Sequence, residues 1–266
     1  MSSKKSVNSI GNTIKVALGL CVVCSIVISS TAVMLRPMQQ ANMLLDRNKN
    51  ILGAAGIFDT SVHTNADVEE MFAQFTPRMV DLTNGSYLSD ERMTELGIDP
   101  ATYDEQRAKN DPQYSRNLTG NEDVASIRRR VNYATVFVIE AEDGSGYETV
   151  VIPVSGYGLW GIMYGYLALE GDGDTIRGIG FYDHQETPGL GGEINNPRWL
   201  QQWPGKEVYD DQNEVAFRVV QGGGEGPHEI DGLSGATLTA RGVENTIQFW
   251  LGDLGFGPYI ENEVRG

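Results

Sequence analysis

The sequence predicts an α+β protein in which a single N-terminal transmembrane helix precedes a domain of antiparallel strands and flanking helices. Two observations support this prediction. Residues 16–35 are twenty consecutive residues without a charge, and at ~1.5 Å rise per residue they match the ~30 Å apolar core of a bilayer. Beyond them, several short strand-like runs separated by glycine-rich turns precede one helical pattern near the C-terminus, an order typical of α+β domains.

The apolar stretch has two interpretations. Its length favours a retained membrane anchor, because the apolar core of a secretory signal peptide is normally only ~7–15 residues. A signal peptide is the alternative, with Ser30 and Ala32 resembling the small residues of a cleavage site.

The charges around this stretch predict its orientation. Lys4, Lys5 and Lys15 precede it, whereas the rest of the chain is acidic overall, so the positive-inside rule places the N-terminus in the cytoplasm. We expect four segments: a cytoplasmic N-terminus (1–15), a transmembrane helix (16–35), a stalk (36–60) and an extracytoplasmic domain (61–266).

Composition excludes several classes of protein. A net charge of −16 argues against nucleic acid binding, which requires clustered Lys and Arg, and 40% apolar residues suffice for a packed core. The two cysteines, Cys21 and Cys24, lie inside the apolar stretch. There they are more simply interpreted as small apolar side chains than as a redox pair. The external domain therefore has neither a disulfide nor thiolate chemistry.

Alternation and turn residues locate the strands. Residues 131–141 carry apolar side chains on both faces, as in a central strand, and the chain is expected to turn at 155–158 and 171–174. Further strands are predicted at 149–154, 159–170, 175–182 and 215–221.

Residues 231–239, with the sequence DGLSGATLT, are predicted to form a turn that leads into a helix carrying Val243 and Ile247. Gly235 and Ala236 leave room for a bulky group, and free N–H groups at a helix start can hold an anion such as a phosphate. Thr237 presents a hydroxyl beside them. The simpler alternative is an ordinary helix cap, where Ser and Thr are preferred.

Residues 184–193, with the sequence HQETPGLGGE, form a second informative loop. Its glycines let the backbone lie flat against a ligand, and Thr187 can hydrogen-bond the edge of a heteroaromatic ring. His184, Glu186 and Glu193 also suggest a metal site. One histidine with carboxylates in a flexible loop is a weak ligand set, so we expect no metal.

The first loop resembles the flavinylation motif Asp-x-x-Ser/Thr-Gly-Ala-Thr, on which a flavin transferase joins FMN to a threonine hydroxyl through its phosphate. The matching residues are Asp231, Ser234, Gly235, Ala236 and Thr237. By this resemblance Thr237 is the acceptor, and Thr239 is its nearby competitor. Asp231 is expected to serve transferase recognition or loop geometry.

The second loop resembles the His-x-Glu-Thr-Pro-Gly-Leu-Gly segment of the C subunit of the Na+-translocating NADH:quinone oxidoreductase and of the related G subunit of the Rnf complex. The turn at 158–161 is also similar to the Gly-Leu-Trp-Gly of that family, and the motifs and anchor run over essentially the whole chain in the same order. The resemblance implies an FMN-binding domain. Its expected flavin contacts here are His184, Glu186, Thr187, Gly189, Leu190, Gly191 and Trp160.

The resemblance further implies one covalent FMN on Thr237 and an electron-carrier subunit, active only within its complex, that relays electrons from NADH oxidation towards ubiquinone while Na+ is exported. The expected partners are the other membrane subunits of a six-subunit assembly and the flavin transferase. The expected location is the bacterial inner membrane, with the main domain periplasmic. No catalytic acid–base residues are assigned, and the external domain has no dinucleotide-binding glycine motif for NADH.

Three other interpretations remain at this point. The first is the Rnf protein, which shares the flavin chemistry. The second is a stand-alone extracytoplasmic flavoprotein, which the absence of a paired catalytic acid and base disfavours. The third is a membrane-anchored adhesion or scaffold domain without a cofactor, which flavin absorbance would exclude.

Overall fold

The computed structural model describes residues 10–59, 61–100 and 102–266, and its chain divides into compact units that meet between Arg47 and Asn48. The first unit is formed by helix α1 (Ile10–Ala54) as far as Arg47. The side chains of its apolar stretch are exposed, and its length and composition suffice to cross a membrane. The Thr31 hydroxyl donates to the Val27 carbonyl oxygen over 2.8 Å, which satisfies this polar group without water. The predicted N-terminal apolar helix is confirmed.

The end of α1 belongs to the second unit. Ile51 and Leu52 are fully buried there, and the Arg177 Nε donates to the Ala55 carbonyl oxygen over 3.1 Å. The compact unit therefore includes residues 48–59, which the sequence assigns to the stalk, because two aliphatic side chains of the helix form part of its core. The helix continues through Gly53 and ends at Ala54, two residues before Gly56, whose φ is +70°.

The second unit contains ten strands. They are β1 (Thr76–Asp81), β2 (Ser86–Tyr87), β3 (Ser115–Asn117), β4 (Arg129–Val131), β5 (Tyr133–Glu140), β6 (Tyr147–Tyr157), β7 (Ile162–Glu170), β8 (Ile176–Asp183), β9 (Arg218–Val220) and β10 (Glu229–Asp231), within the described residues. Six form an antiparallel sheet in the order β2-β1-β5-β6-β7-β8. An antiparallel pair (β3, β4) and a parallel pair (β9, β10) complete the described strands. The α+β class with antiparallel strands is confirmed.

Short helices connect and cover these strands. They are α2 (Val68–Phe72), α3 (Asp90–Leu96), α4 (Glu105–Ala108), a 3-10 turn (Gly191–Asn195), α5 (Pro197–Leu200), α6 (Thr237–Trp250), α7 (Gly257–Tyr259) and a π-helical turn (Ile260–Val264). The predicted C-terminal helix is α6, which begins at Thr237, within the segment expected to lead into it.

The centre of the sheet follows the predicted burial pattern. Seven of the eight residues of β5 are buried, so both faces of this strand are covered. Val138 pairs with Val150, and Val150 pairs with Leu169 on β7; all three side chains are fully buried. The hairpin between β7 and β8 turns at residues 171–174, where the sequence predicts it.

Two local predictions were wrong. Strand β6 continues to Tyr157, so the turn expected at 155–158 lies at 158–161, where the Gly158 N–H donates to the Gly161 carbonyl oxygen over 2.9 Å. The strand predicted at 215–221 is shorter, and it pairs in parallel with β10 instead of joining the sheet. Both differences arise from tertiary pairing, which alternation of side chains does not reveal.

Helix α6 lies close against β6 because two glycines remove side chains at the contact. A Cβ on Gly156 would overlap the Thr246 hydroxyl, and a Cβ on Gly242 would overlap the Tyr157 carbonyl oxygen. The Trp250 Nε1 donates to the Ser155 carbonyl oxygen over 2.7 Å and fixes the far end of the helix. This packing holds the start of α6, and with it Thr237, at a defined position beside the sheet.

Candidate functional site

Thr237 is the first residue of α6, and the backbone before it makes a sharp turn. Gly235 has a φ of +75°, a left-handed conformation that glycine adopts without strain. Ala236 is the N-cap and provides no side-chain hydrogen bond, so the first N–H groups of the helix are left for another acceptor. The expected turn into a helix with open backbone donors is therefore present.

The two threonines of the loop have different surroundings. The Thr237 side chain is exposed, and its Oγ1 accepts a hydrogen bond from the Gln221 Nε2 over 2.6 Å. Thr239 is fully buried, and its hydroxyl donates to the Glu186 Oε2 over 2.5 Å. Of the two hydroxyls, only that of Thr237 is accessible to another molecule.

Glu186 joins the three segments that the sequence singles out. It is 5% exposed, and its Oε1 accepts the N–H groups of Leu159 and Trp160 over 2.9 and 3.0 Å, while its Oε2 accepts the Thr239 hydroxyl. One buried carboxylate thus connects the turn at 158–161, the loop at 184–193 and helix α6. Its three hydrogen bonds satisfy a charge that burial would otherwise make costly.

Glycines make room for this carboxylate. A Cβ on Gly158 would lie 2.5 Å from the Glu186 Oε1, and a Cβ on Gly191 would lie 2.5 Å from both the Glu186 Oε2 and the Thr239 Oγ1. All three distances are shorter than van der Waals contact. The glycines of the two motifs are therefore explained in part by the packing around Glu186.

The loop at 184–193 is fixed by its own hydrogen bonds. The Glu186 N–H donates to the His184 Nδ1 over 3.2 Å, and the Thr187 carbonyl oxygen accepts the N–H groups of Leu190 and Gly192 over 3.1 and 2.9 Å. Gly189 has a φ of +76°. The His184 ring is thus used within the loop, and no cluster of three or more His, Cys, Asp or Glu suited to a metal occurs among residues 10–59, 61–100 and 102–266.

The two loops meet at Leu190 and Gly235. A Cβ on Gly235 would lie 3.3 Å from the Leu190 Cδ2, so these residues, far apart in sequence, are direct neighbours. Ser234 is exposed on the same turn. The structure therefore brings the two predicted ligand loops to one surface.

Asp231 holds the backbone before the acceptor loop. Its Oδ1 accepts the N–H groups of Gly223 and Gly224 over 2.6 and 3.2 Å, and its carbonyl oxygen accepts the Trp199 Nε1–H over 2.8 Å. Of the roles expected for this residue, loop geometry is the one with contacts in the structure.

A cleft of about 400 Å3 opens beside Thr237, within the ~300–1,000 Å3 range of small-molecule sites. Its lining residues are Val219, Gln221, Thr237, Ala240, Arg241 and Glu244. Sequence reasoning missed Gln221, Arg241 and Glu244. Helical spacing offered one signal, since Arg241 follows Thr237 by four residues and so shares its face of the helix.

Five large apolar side chains are exposed on or next to the turn at 158–161, the loop at 184–193 and the start of α6. We call Tyr157, Leu159, Trp160, Leu190 and Leu238 the apolar rim; each is between 41% and 61% exposed. Large apolar side chains left open in a group often mark a binding surface. By contrast, Trp199 and Trp203 are buried, and Trp203 stacks on Phe217 with 4.8 Å between ring centroids, so these two tryptophans belong to the core.

Comparisons with known proteins agree with this geometry. A family model described as FMN-binding domain matches residues 158–252, which include the turn at 158–161, both loops and α6. The chain is 45% identical over 271 residues to the C subunit of the Na(+)-translocating NADH-quinone reductase of Yersinia pestis, covering 100% of this chain and 98% of the relative. It is 43% identical to the corresponding protein of Pseudomonas aeruginosa, with 96% of each covered.

Solved structures show the same fold. The crystal structure of Shewanella oneidensis NqrC matches with a TM-score of 0.73 and 34% identity over 83% of this chain and 97% of that chain. The structure of the C subunit from Parabacteroides distasonis matches with a TM-score of 0.63 and 24% identity over 85% of this chain and 96% of that chain, which supports the fold alone. Because the motifs, the fold and full-length identity agree, the chain belongs to the family of Na(+)-translocating NADH-quinone reductase C subunits.

Proposed function

We propose that this protein is the electron-carrier C subunit of a Na+-translocating NADH:quinone reductase, and that it carries one FMN as a phosphoester on Thr237. It relays electrons from NADH oxidation towards ubiquinone while Na+ is exported, and it works only within the complex. The observation that carries the proposal is the contrast between Thr237, exposed in a cleft at a helix start, and Thr239, buried and bonded to Glu186.

The residues around Thr237 fit an FMN. The uncapped start of α6 and the cleft suit a phosphate, and the apolar rim offers a surface for a flat ring. When bound, FMN supplies one- and two-electron transfer chemistry, whereas the protein supplies attachment, orientation and electrostatics. A covalent link also prevents loss by dilution, since a tether keeps the effective concentration at ~mM or more.

Each predicted contact has a role in this proposal. Thr237 bears the ester, Gly235 and Ala236 present the backbone, and Ser234 lies exposed on the same turn. Leu190 and Trp160 offer apolar surface to the ring. The remaining predicted contacts shape or hold the loop at 184–193: His184, Glu186, Thr187, Gly189 and Gly191. Asp231 fixes the approach to the acceptor turn.

Glu186 is a positioning residue with an electrostatic effect. Its carboxylate accepts three hydrogen bonds, so its first role is to keep the turn at 158–161 and the loop at 184–193 against α6. A negative charge near a flavin also disfavours the addition of an electron. Glu193 is a weaker candidate for that effect, because it is partly exposed and its Oε2 accepts the Asn196 Nδ2–H over 2.6 Å.

For the membrane arrangement we propose residues 1–15 in the cytoplasm, 16–35 across the bacterial inner membrane, 36–60 as a stalk whose last turns are anchored in the domain, and 61–266 as the periplasmic FMN-binding domain. The exposed apolar surface of α1 supports the membrane span. The lysines at its N-terminal side support the orientation. The partners are the other members of a six-subunit complex, together with a flavin transferase. The relatives at 43–45% identity are C subunits of this reductase, which favours this function over that of the Rnf G subunit.

The decisive experiment is mass spectrometry of the tryptic peptide 219–241 from the full chain, produced with and without a flavin transferase. We expect the mass of one FMN, less water, on Thr237 only when the transferase is present. A peptide with the mass of its amino acids alone, from a host that modifies a known C subunit, would reject the proposal. Fragment ions that place the flavin on Ser234 or Thr239 would keep the covalent flavin and reject its assigned residue.

A further inference from the structure

Arg241 lies one helical turn after Thr237, and both residues line the cleft. Residues four apart on a helix are neighbours on one face. The Arg241 side chain is exposed, and it makes no ion pair within 4.0 Å in the part of the chain that the structure describes. Its guanidinium is thus available to a ligand in the cleft.

The nearest acidic side chain of the cleft has another partner. Glu244 follows Arg241 by three residues and would be a natural ion-pair partner on the same helix. Its Oε2 instead accepts the Val219 N–H over 2.8 Å, which directs this carboxylate towards β9. Among the described residues Arg241 consequently has no ion-pair partner within 4.0 Å.

Gln221, which directly follows β9, also lines the cleft and contacts the Thr237 hydroxyl. Its Nε2 donates to the Thr237 Oγ1 over 2.6 Å. An ester on Thr237 makes this oxygen the bridging atom of a phosphodiester, a weak acceptor beside two strongly accepting phosphate oxygens. The same carboxamide can then donate to the phosphate.

We infer that Arg241 and Gln221 bind the phosphate of the flavin phosphoester on Thr237, an inference that rests on the proposed function. The phosphodiester carries one negative charge, and a guanidinium matches two phosphate oxygens with two parallel hydrogen bonds. An exposed ion pair is weak because water screens it and two flexible side chains must be ordered, but here the covalent link already holds the phosphate beside the helix, so mainly the Arg241 side chain has to be ordered. The pair fixes the point from which the flavin extends.

The test uses the full chain in a phosphorus-free detergent, produced with a flavin transferase. The variants are Arg241→Gln, Arg241→Lys and the matched control Arg198→Gln, which removes an exposed arginine of α5 outside the cleft. Intact mass gives the extent of flavin attachment. Phosphorus NMR of the phosphodiester is recorded at about 0.01 M and about 1 M NaCl, where the screening length falls from ~30 to ~3 Å.

We expect the phosphodiester resonance of the unaltered protein and of Arg198→Gln to move as salt screens the ion pair. In Arg241→Gln this movement should be lost, with the resonance near the high-salt position throughout, and Arg241→Lys should retain part of it. A fully modified Arg241→Gln protein with an unchanged resonance and unchanged salt response would overturn the inference.

Attachment itself gives a second readout. Loss of modification in Arg241→Gln with recovery in Arg241→Lys supports a phosphate contact during attachment, whereas loss in both variants means that the charge is not what matters and overturns the inference. The mass of the unaltered protein tests the proposed function separately. Absence of flavin from Thr237 there rejects that function, and a flavin there with no Arg241 effect rejects only the phosphate contact.

Discussion

Thr237 and Thr239 belong to the same turn of α6, yet one hydroxyl faces a cleft and the other is buried against Glu186. The Thr237 region is open and has uncompensated donors, which suits attachment of a ligand. The Glu186 side chain is buried and accepts three hydrogen bonds, which suits a rigid support. In the proposed assignment, attachment and support fall on two residues that are two positions apart on one helix, so that each can be altered separately.

Replacing Thr237 should affect flavin attachment, whereas replacing Thr239 should affect stability. Thr237→Val should abolish flavin attachment while leaving the fold intact, because its hydroxyl bonds only to the exposed Gln221. Thr239→Val should keep the flavin on Thr237 but lower stability by ~1–3 kcal/mol, because Glu186 loses a donor. In-gel flavin fluorescence after denaturation, combined with urea unfolding followed by tryptophan emission, measures both effects. Flavin retained in Thr237→Val would contradict the assignment of the acceptor.

Removing the Glu186 carboxylate tests whether it stabilises the domain. Glu186→Ala should destabilise the domain by about 2–5 kcal/mol, because two backbone N–H groups and one buried hydroxyl lose their acceptor. Urea unfolding of the full chain in detergent gives the value. Glu193→Ala is the matched control from the same loop and should cost only ~0.5–1.5 kcal/mol, since one contact to Asn196 is lost. Equal losses in the two variants would reject the supporting role.

A smaller change tests how tightly the support is packed. In Gly191→Ala the new methyl group would lie 2.5 Å from both the Glu186 Oε2 and the Thr239 Oγ1, so the loop must shift at a cost of ~1–3 kcal/mol. Gly180→Ala on β8 is the control, because its methyl group would meet nothing within 4 Å. The same urea titration applies. A Gly191→Ala protein as stable as Gly180→Ala would show that this packing tolerates added volume.

The smallest change removes the charge of Glu186 and keeps the size of its side chain. Glu186→Gln should raise the flavin midpoint potential, because the removal of a buried negative charge favours the reduced flavin; ~1.4 kcal/mol corresponds to about 30 mV for a two-electron couple. Glu193→Gln should shift it less, since that carboxylate is partly exposed and screened. Spectroelectrochemical titration of the flavin-loaded protein measures the potentials. An unchanged potential in Glu186→Gln would leave this residue a purely structural role.

The spacing of apolar residues in the sequence correctly predicted individual helices and strands. The spacing of Val243 and Ile247 locates α6, and the run of apolar residues in β5 indicates a strand buried on both faces. The two motif loops also meet, at Leu190 and Gly235. What sequence could not show is contact across long separations: the Glu186–Thr239 bond spans 53 positions, and Gln221 reaches Thr237 from 16 positions away. Strand β1 was missed because it combines Pro77 and Arg78 with only a few buried residues.

The buried end of α1 has a practical consequence for any shortened form of this protein. Ile51 and Leu52 fill the interior of the folded domain, and each fully buried aliphatic side chain contributes ~1.5–3 kcal/mol. A water-soluble fragment that begins at Asn48 keeps both side chains, whereas one that begins at residue 61 leaves their places in the interior empty. The last turns of α1 are therefore part of the folded domain. A fragment cut within this helix, at residue 48, should be more stable than one cut after it, at residue 61.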